Sequence, residues 1–371
     1  MKNWKLLIED PEELSDWLAE AREARQALAL DTESTHYASY NPEVALIQLA
    51  TETSVVFIDP LSHRWEEAEL RPLFDALMDE ALEKVLHSAR NDLMELDRDF
   101  SVGLRGLFDT EIAARFLGHS RSKLSYLYEE LLGVTVPGGM HTFDWSKRPL
   151  TEKAIAYARS DVERLIELRD RLEEELARSP YHEAFRQTCA YIAETTTYRE
   201  RPFDPEGWRR IKAARKFNGR QRAILHALYG WRHEVCEARN MAAFMVVQDH
   251  RLAALVLGKG KIGGLSKREA AGLEAALEQG RRAPEPPERR PSRGQPPSRE
   301  EKARFQALRS WRNQTAEELR LPSEFVATND TLSAMAAQPP QDLADLGDVE
   351  GVLPWQVELF GDSLLDALRS A

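Results

Sequence analysis

The sequence predicts an α/β domain, a mixed sheet flanked by helices, followed by two small all-α domains. Three observations carry that reading. Short apolar runs crowd into the first ninety residues, with helical periodicity after them. One stretch of the C-terminal half recurs at a constant offset of 80 residues. Between the two copies lies "RRAPEPPERRPSRGQPPSRE", residues 281–300, rich in Pro and Arg and suited to a flexible or partly extended linker.

The strand-like runs fall at 27–31, 44–50 ("VALIQLA"), 55–58 ("VVFI") and 84–87 ("KVLH"). "NPE" at 41–43 and "TETS" at 51–54 supply turn chemistry between them. Helical periodicity follows at about 89–98, 109–117 and 122–132. One long helix is then expected from Thr151, a good N-cap with Glu152 behind it, to Pro180. The resulting division is a first domain over 1–200, helical domains over 208–280 and 301–371, and the linker 281–300. In the repeat, Ala227/Ala307, Leu228/Leu308, Trp231/Trp311, Arg232/Arg312 and Leu252/Leu332 keep one register.

Of 371 residues, 42% are hydrophobic and 30% charged, a globular composition. The two cysteines, Cys189 and Cys236, match no metal or disulfide spacing, which suits a reducing cytoplasm. The opening "MKNWKLLIEDPEEL" has acids where a signal peptide needs an apolar core, and no stretch reads as a membrane span. The net charge of −12 argues against a nucleic-acid binder as a bulk property. Its distribution argues otherwise: "RRIKAARKFNGRQR", 209–222, contains no acid.

The chemistry begins at "LALDTES", Leu28 to Ser34. Asp31 and Glu33 follow a buried-looking run, and strand alternation points both carboxylates to one face. Like charges against apolar structure repel and lose hydration, so a positive partner is needed unless the strand simply frays into a polar loop. Asp92 falls in the first turns of a helix after His87. Tyr157 and Asp161 share a helix face with Leu165 and Leu168, directed inward. Four carboxylates from three segments suit hard divalent cations, Mg²⁺ or Mn²⁺, and two such ions can serve the attacking and leaving oxygens of a phosphodiester. A phenol nearby can orient the water.

"LDTE", "HSARNDLMEL" and "YARSDVERL" together resemble the three motifs of the DEDD superfamily of 3′-to-5′ exonucleases, in its tyrosine subgroup. The repeats, each with W-R on an apolar helix before "VVQDHRLAAL" or "VATNDTLSAM", resemble HRDC domains. An exonuclease domain with two HRDC domains resembles the bacterial ribonuclease D family. The resemblance implies a ribonuclease H-like first domain and Asp31, Glu33, Asp92, Tyr157 and Asp161 as the catalytic set. Asp31, Glu33 and Asp161 are then expected on one metal, Asp31 and Asp92 on the other, with Tyr157 on the water. It also implies a monomer that releases nucleoside 5′-monophosphates from accessible RNA 3′ ends, tRNA precursors among them. Nothing visibly reads a 2′-hydroxyl, so a DNA exonuclease stays open, as does a silent nucleic-acid scaffold.

Gln48, Asp109 and Thr110 fall in further matching stretches and read mainly as scaffolding. "DWSKRPL", 144–150, is another family signature expected to line the cleft. Beside it, "GGMHTFDW" places Gly138, His141 and Phe143 where the family usually has Lys, Gln and Ser. His87, His141 and Trp145 are candidate substrate contacts. On the helical side the candidates are Arg209, Arg210, Lys212, Arg215 and Lys216, flanked by Trp208 and Phe217, with Lys259 and Lys261 in "GKGKIGG". The alternative for that charge run is a solvated helix face. Residues 281–371 are expected to serve substrate affinity more than chemistry.

Overall fold

The computed structural model describes residues 7–23, 27–63, 65–136, 138–140, 142–200, 202–287 and 296–370. Six strands form one sheet: β1 (Leu7–Ile8), β2 (Leu28–Ser34), β3 (Val44–Ala50), β4 (Val55–Ile58), β5 (Lys84–Leu86) and β6 (Leu107–Asp109). Their order is β1-β4-β3-β2-β5-β6. The β4–β3 and β3–β2 pairs are antiparallel, while β1–β4, β2–β5 and β5–β6 are parallel, so the sheet is mixed as expected. β3 is buried at all seven positions, which explains why "VALIQLA" runs nearly apolar rather than alternating. β1 and β6 escape the sequence pattern because two- and three-residue strands carry too little periodicity.

Helices α1 (Pro11–Glu23), α2 (Glu67–Met78), α3 (Arg90–Phe100), α4 (Thr110–Phe116), α5 (Leu124–Leu127), α6 (Glu152–Val162), α7 (Leu165–Leu176) and α8 (His182–Thr195) surround the sheet. A π-helical turn, Tyr128–Leu132, follows α5. The single helix expected from Thr151 to Pro180 is in fact α6 and α7, broken at Glu163 and Arg164. The break lets α6 lie on β2 and β3 while α7 turns to α4 and β5. Leu165 and Leu168 are still fully buried. Thr151 caps α6 as expected, accepting from the Ala154 N–H at 3.2 Å.

The C-terminal half is helical: α9 (Gly219–Arg239), α10 (Ala243–Val246), α11 (Asp249–Val256) and α12 (Lys267–Arg282), then α13 (Arg299–Leu319), α14 (Ser323–Val326), α15 (Asn329–Ala337), α16 (Leu343–Gly347) and α17 (Pro354–Arg369). α9 to α11 begin 80 residues before α13 to α15. Both long helices start with a capping box, Asn218 with Gln221 and Ser298 with Glu301. Both end on a left-handed residue, Asn240 (φ 46°) and Arg320 (φ 56°). Inside each unit a buried arginine latches the following turn. Arg232 donates to the Val247 carbonyl and to Asp249, each at 2.8 Å; Arg312 donates to the Ala327 carbonyl at 3.2 Å and Asn329 at 2.9 Å. Asn329 thus keeps the latch of Asp249 without its charge.

Both units meet the first domain around the corresponding short helix, the first also through α9 and the second through α13 and α17. α14 inserts Phe325 and Val326 into the first domain's own apolar core. The Phe325 ring stacks on Phe116 at 4.5 Å, and Arg115 lies 4.7 Å over it while pairing with Glu324. The first unit touches the loop after β2: the Ala242 N–H donates to the Ala38 carbonyl at 2.8 Å and the Asn41 N–H to Asn240 at 2.7 Å. Because the second unit shares that core, removing 281–371 would expose it. The deletion expected to separate affinity from chemistry therefore also removes part of the first domain's own core.

Candidate active site

β2 delivers Asp31 and Glu33 on one face, and Asp161 reaches them from α6. One carboxylate oxygen of each lies within 4.8 Å of the others. Register explains the placement: Asp31 is paired across the ladder with Gln48, and a bulge follows Glu33 where the strand leaves the sheet. Thr32, between them, lines the same cavity as Glu33 and meets α3. Its N–H donates to Asp92 Oδ1 at 2.9 Å and its hydroxyl to the same oxygen at 2.7 Å, with Glu95 at 3.1 Å. Asp92 is buried and stands beside the triad rather than within it.

The electrostatics are those of buried carboxylates crowded against one another. Burial, then the charges of Asp92, Asp161 and Glu33, push Asp31 well above the ordinary carboxylate range. Burial, then Asp161 and Asp92, raise Glu33 to about 9. Burial raises Asp92 to about 7 against the opposing bonds from Thr32, and raises Asp161 to about 7 against the bond from Tyr157. Tyr157 is itself raised by burial, then by Asp161, Glu33 and Asp31, so the phenol keeps its proton. An all-carboxylate donor set without Cys or His suits a hard divalent cation, and the triad is close enough to share one.

A cavity of about 390 Å³ opens onto this cluster, lined by Glu33, Asp92, Glu95 and Tyr157 and walled on one side by Met140, Phe143 and Trp145. Trp145 packs 4.9 Å from Phe143 and 6.4 Å from Tyr157. Within "DWSKRPL", Arg148 has a structural place while Ser146 and Lys147 are exposed. Arg148 turns away and grips Asp59 at 2.6 and 2.7 Å, the Ala45 carbonyl at 2.8 Å and the Trp145 carbonyl at 2.6 Å. It ties the cleft wall to β3 and the end of β4.

The remaining candidates divide by place. His87 is bonded through Nδ1 to the Thr110 hydroxyl at 2.9 Å and held below its usual pKa by burial. Asp109 caps α4 and receives the N–H groups of Ser88 and Ala89 at 3.0 and 2.9 Å. Gly138 is exposed, and His141 lies outside the described residues. Arg209 pairs with Glu206 and donates to the Pro287 carbonyl; Arg210 pairs with Asp204 at 2.9 Å. Lys212, Arg215, Lys216, Lys259 and Lys261 are exposed, the last two in the loop between α11 and α12. Trp208 and Phe217 are core residues of the first helical unit, so they are not free to stack on a base.

Sequence reasoning did not single out Thr32 or Glu95. Thr32 was visible only as the spacer of "DTE". Glu95, three residues after Asp92 on α3, carried a helical signal that stood unread. Gln48 is fully buried beside Asp31, and its amide has no hydrogen-bond partner among the described residues.

Residues 6–177 match the family described as 3′-5′ exonuclease, and residues 301–368 match the HRDC domain family. The class is therefore that of the 3′-5′ exonuclease fold with an appended HRDC-type helical domain. The chain is 34% identical to ribonuclease D of Haemophilus influenzae over 230 residues, 62% of this chain and 56% of that relative, so this match spans little more than half of the relative. It is 31% identical to ribonuclease D of Sphingobium indicum over 383 residues, 98% of this chain and 94% of that one. A crystal structure of Escherichia coli RNase D, described as an exoribonuclease involved in structured RNA processing, matches with a TM-score of 0.64 at 27% identity, covering 99% of both chains. The chain belongs to the ribonuclease D family of 3′-to-5′ exoribonucleases. Among the described residues no helix is long and apolar enough to cross a membrane.

Proposed function

We propose that the chain trims RNA 3′ ends one nucleotide at a time with two Mg²⁺ or Mn²⁺ ions, on structured RNA such as tRNA precursors. The observation that carries this is the convergence of Asp31, Glu33 and Asp161 within 4.8 Å, with Asp92 held alongside by Thr32. Asp31, Glu33 and Asp161 would hold one ion, and Asp31 with Asp92 the other. When bound, the ions supply charge stabilisation at the scissile phosphate and lower the pKa of water.

The chain's own groups do the rest. Tyr157, protonated and hydrogen-bonded to Asp161, places its hydroxyl oxygen where it can orient the attacking water. Met140, Phe143 and Trp145 line the cleft with apolar surface, which excludes bulk water from the reacting phosphate. The constellation reads no base edge, which fits removal of successive nucleotides irrespective of sequence. Residues 208–280 are read as a first HRDC-type unit on the strength of the shared arginine latch and helix register.

The test is a 5′-labelled RNA hairpin with a short unpaired 3′ tail, alongside a matched DNA strand. The expected result is a ladder shortening from the 3′ end of the RNA, dependent on Mg²⁺ or Mn²⁺, abolished by EDTA, with nucleoside 5′-monophosphates as product. No shortening with either ion, or release of 3′-monophosphates, contradicts the reading.

A further inference from the structure

α10 and α14 occupy the same position in the two helical units, yet they end in opposite environments. At the 80-residue offset Met245 corresponds to Phe325 and Phe244 to Glu324. Phe325 is 8% exposed, sunk into the first domain; Met245 and Phe244 are 42% and 43% exposed. None of the α10 residues is buried. The Phe244 ring lies 5.2 Å from that of Tyr37, itself 37% exposed. Tyr37 lines the same cavity as Glu33, Asp92 and Tyr157. Tyr37 and Phe244 therefore stand together in solvent at the mouth of the catalytic cleft, with Met245 exposed next to Phe244 on α10.

Such a patch is unfavourable in water unless something covers it. Its position is fixed by backbone: the Ala242–Ala38 and Asn41–Asn240 bonds clamp α10 to the loop that carries Tyr37. The Tyr40 hydroxyl adds a bond to His233 at 2.8 Å, and the His233 ring stacks on Phe203 at 3.7 Å. The ledge is thus tied to the cleft through the loop that carries Tyr37, and continuity with the cavity names its occupant. A strand whose 3′ end reaches Asp31 and leaves the cavity on the Tyr37 side passes over Phe244 and Met245. Unpaired nucleobases present flat apolar faces that stack on aromatic surface irrespective of sequence.

We propose that Tyr37, Phe244 and Met245 form a stacking subsite for unpaired bases upstream of the 3′-terminal nucleotide, so that the first helical unit completes the substrate cleft of the exonuclease. The inference rests on the exoribonuclease reading. It assigns the first unit a direct role beside the metal site and the second, through Phe325, a structural one.

The experiment uses the full-length protein in EDTA, so that binding is read without hydrolysis. The probe is a single-stranded RNA of eight nucleotides carrying 2-aminopurine three positions from its 3′ end. The wild type is expected to quench its fluorescence on binding. The Phe244→Ala/Met245→Ala protein should bind about 10-fold more weakly with the quench lost, and Phe244→Trp should restore both. In Mg²⁺ the double variant should raise KM for the eight-nucleotide strand about 10-fold more than KM for a dinucleotide. Equal affinity and equal quenching in wild type and variant overturn the ledge. Self-association that disappears in the variant while RNA binding persists also overturns it and assigns the patch to a second copy. Quenching in the wild type with no hydrolysis in Mg²⁺ upholds the ledge and counts against the exonuclease reading instead.

Discussion

Thr32 holds Asp92 by two donors on one oxygen, its N–H at 2.9 Å and its hydroxyl at 2.7 Å to Oδ1. That pair links the two structural sources of the site, the end of β2 and the start of α3. It also leaves Asp92 Oδ2 without the bonds that engage Oδ1. The residue that spaces Asp31 from Glu33 thereby also sets where the fourth carboxylate stands.

Thr32→Val tests this link, because valine keeps the shape and the N–H and removes only the hydroxyl. The expected outcome is a fall of about 10- to 100-fold in divalent-metal affinity or hydrolysis, as when a partner behind a metal ligand is lost. Metal titration followed by rate measurement checks it, with circular dichroism to show that the fold persists. Unchanged affinity and rate would show that the N–H alone positions Asp92.

The raised carboxylates make a second prediction, with a definite sign. Glu33 lies at about 9 and Asp92 and Asp161 at about 7, all above their unfolded values. The folded protein therefore holds more protons than the unfolded chain between roughly pH 4 and pH 9. Stability from these groups is full below pH 4 and is lost as pH rises through 7 to 9. Metal-free protein should melt lower at pH 8.5 than at pH 6, and saturating Mn²⁺ should remove that slope by binding the folded form. Thermal scans in EDTA and in Mn²⁺ decide it; a metal-free melting point that climbs with pH would count against the cluster as described.

Arg148 and Asp59 yield a third. Burial acts to raise the Asp59 carboxyl, but the bonds from Arg148 and Ser62 outweigh it and hold Asp59 below its usual range. Arg148→Met leaves that carboxylate buried without its partner, at a cost of about 3–5 kcal/mol. Urea unfolding measures it. Pairing it with Asp59→Leu should recover a large part of the loss, since no charge then stays buried. A single-variant cost under about 1 kcal/mol would mean that water replaces the guanidinium.

A fourth contrasts the two short helices. Phe325→Ala removes a buried ring stacked on Phe116 and should cost about 3–5 kcal/mol. Met245→Ala, at the equivalent repeat position, should stay within about 0.5 kcal/mol because the side chain is already in water. Denaturant midpoints of both variants check this. Equal effects would show that the two units dock alike.

Local pattern carried much of this architecture. The alternation of Asp31 and Glu33 after an apolar run, the four-residue spacing of Tyr157 and Asp161, and the 80-residue register each rest on neighbours close in sequence. The two-residue β1 and three-residue β6 lack the length for a period to show. The break at Glu163 and Arg164 answers to the different surfaces under α6 and α7, which no local spacing records. The burial of Phe325 against Phe116 joins residues 209 positions apart. Thr32 and Glu95 were legible as residue types but not as partners, because their meeting with Asp92 requires β2 and α3 to be placed first.

The most direct test of the account is a count of Mn²⁺ ions bound, by electron paramagnetic resonance at pH 8, on wild type, Asp31→Asn and Asp161→Asn, each with a nucleoside 5′-monophosphate present. The account predicts two bound ions in the wild type, weakened binding of both in Asp31→Asn, and loss of one with the other retained in Asp161→Asn. Equal Mn²⁺ binding by all three proteins would contradict it, because the converging carboxylates of β2 and α6 would then not be the metal site.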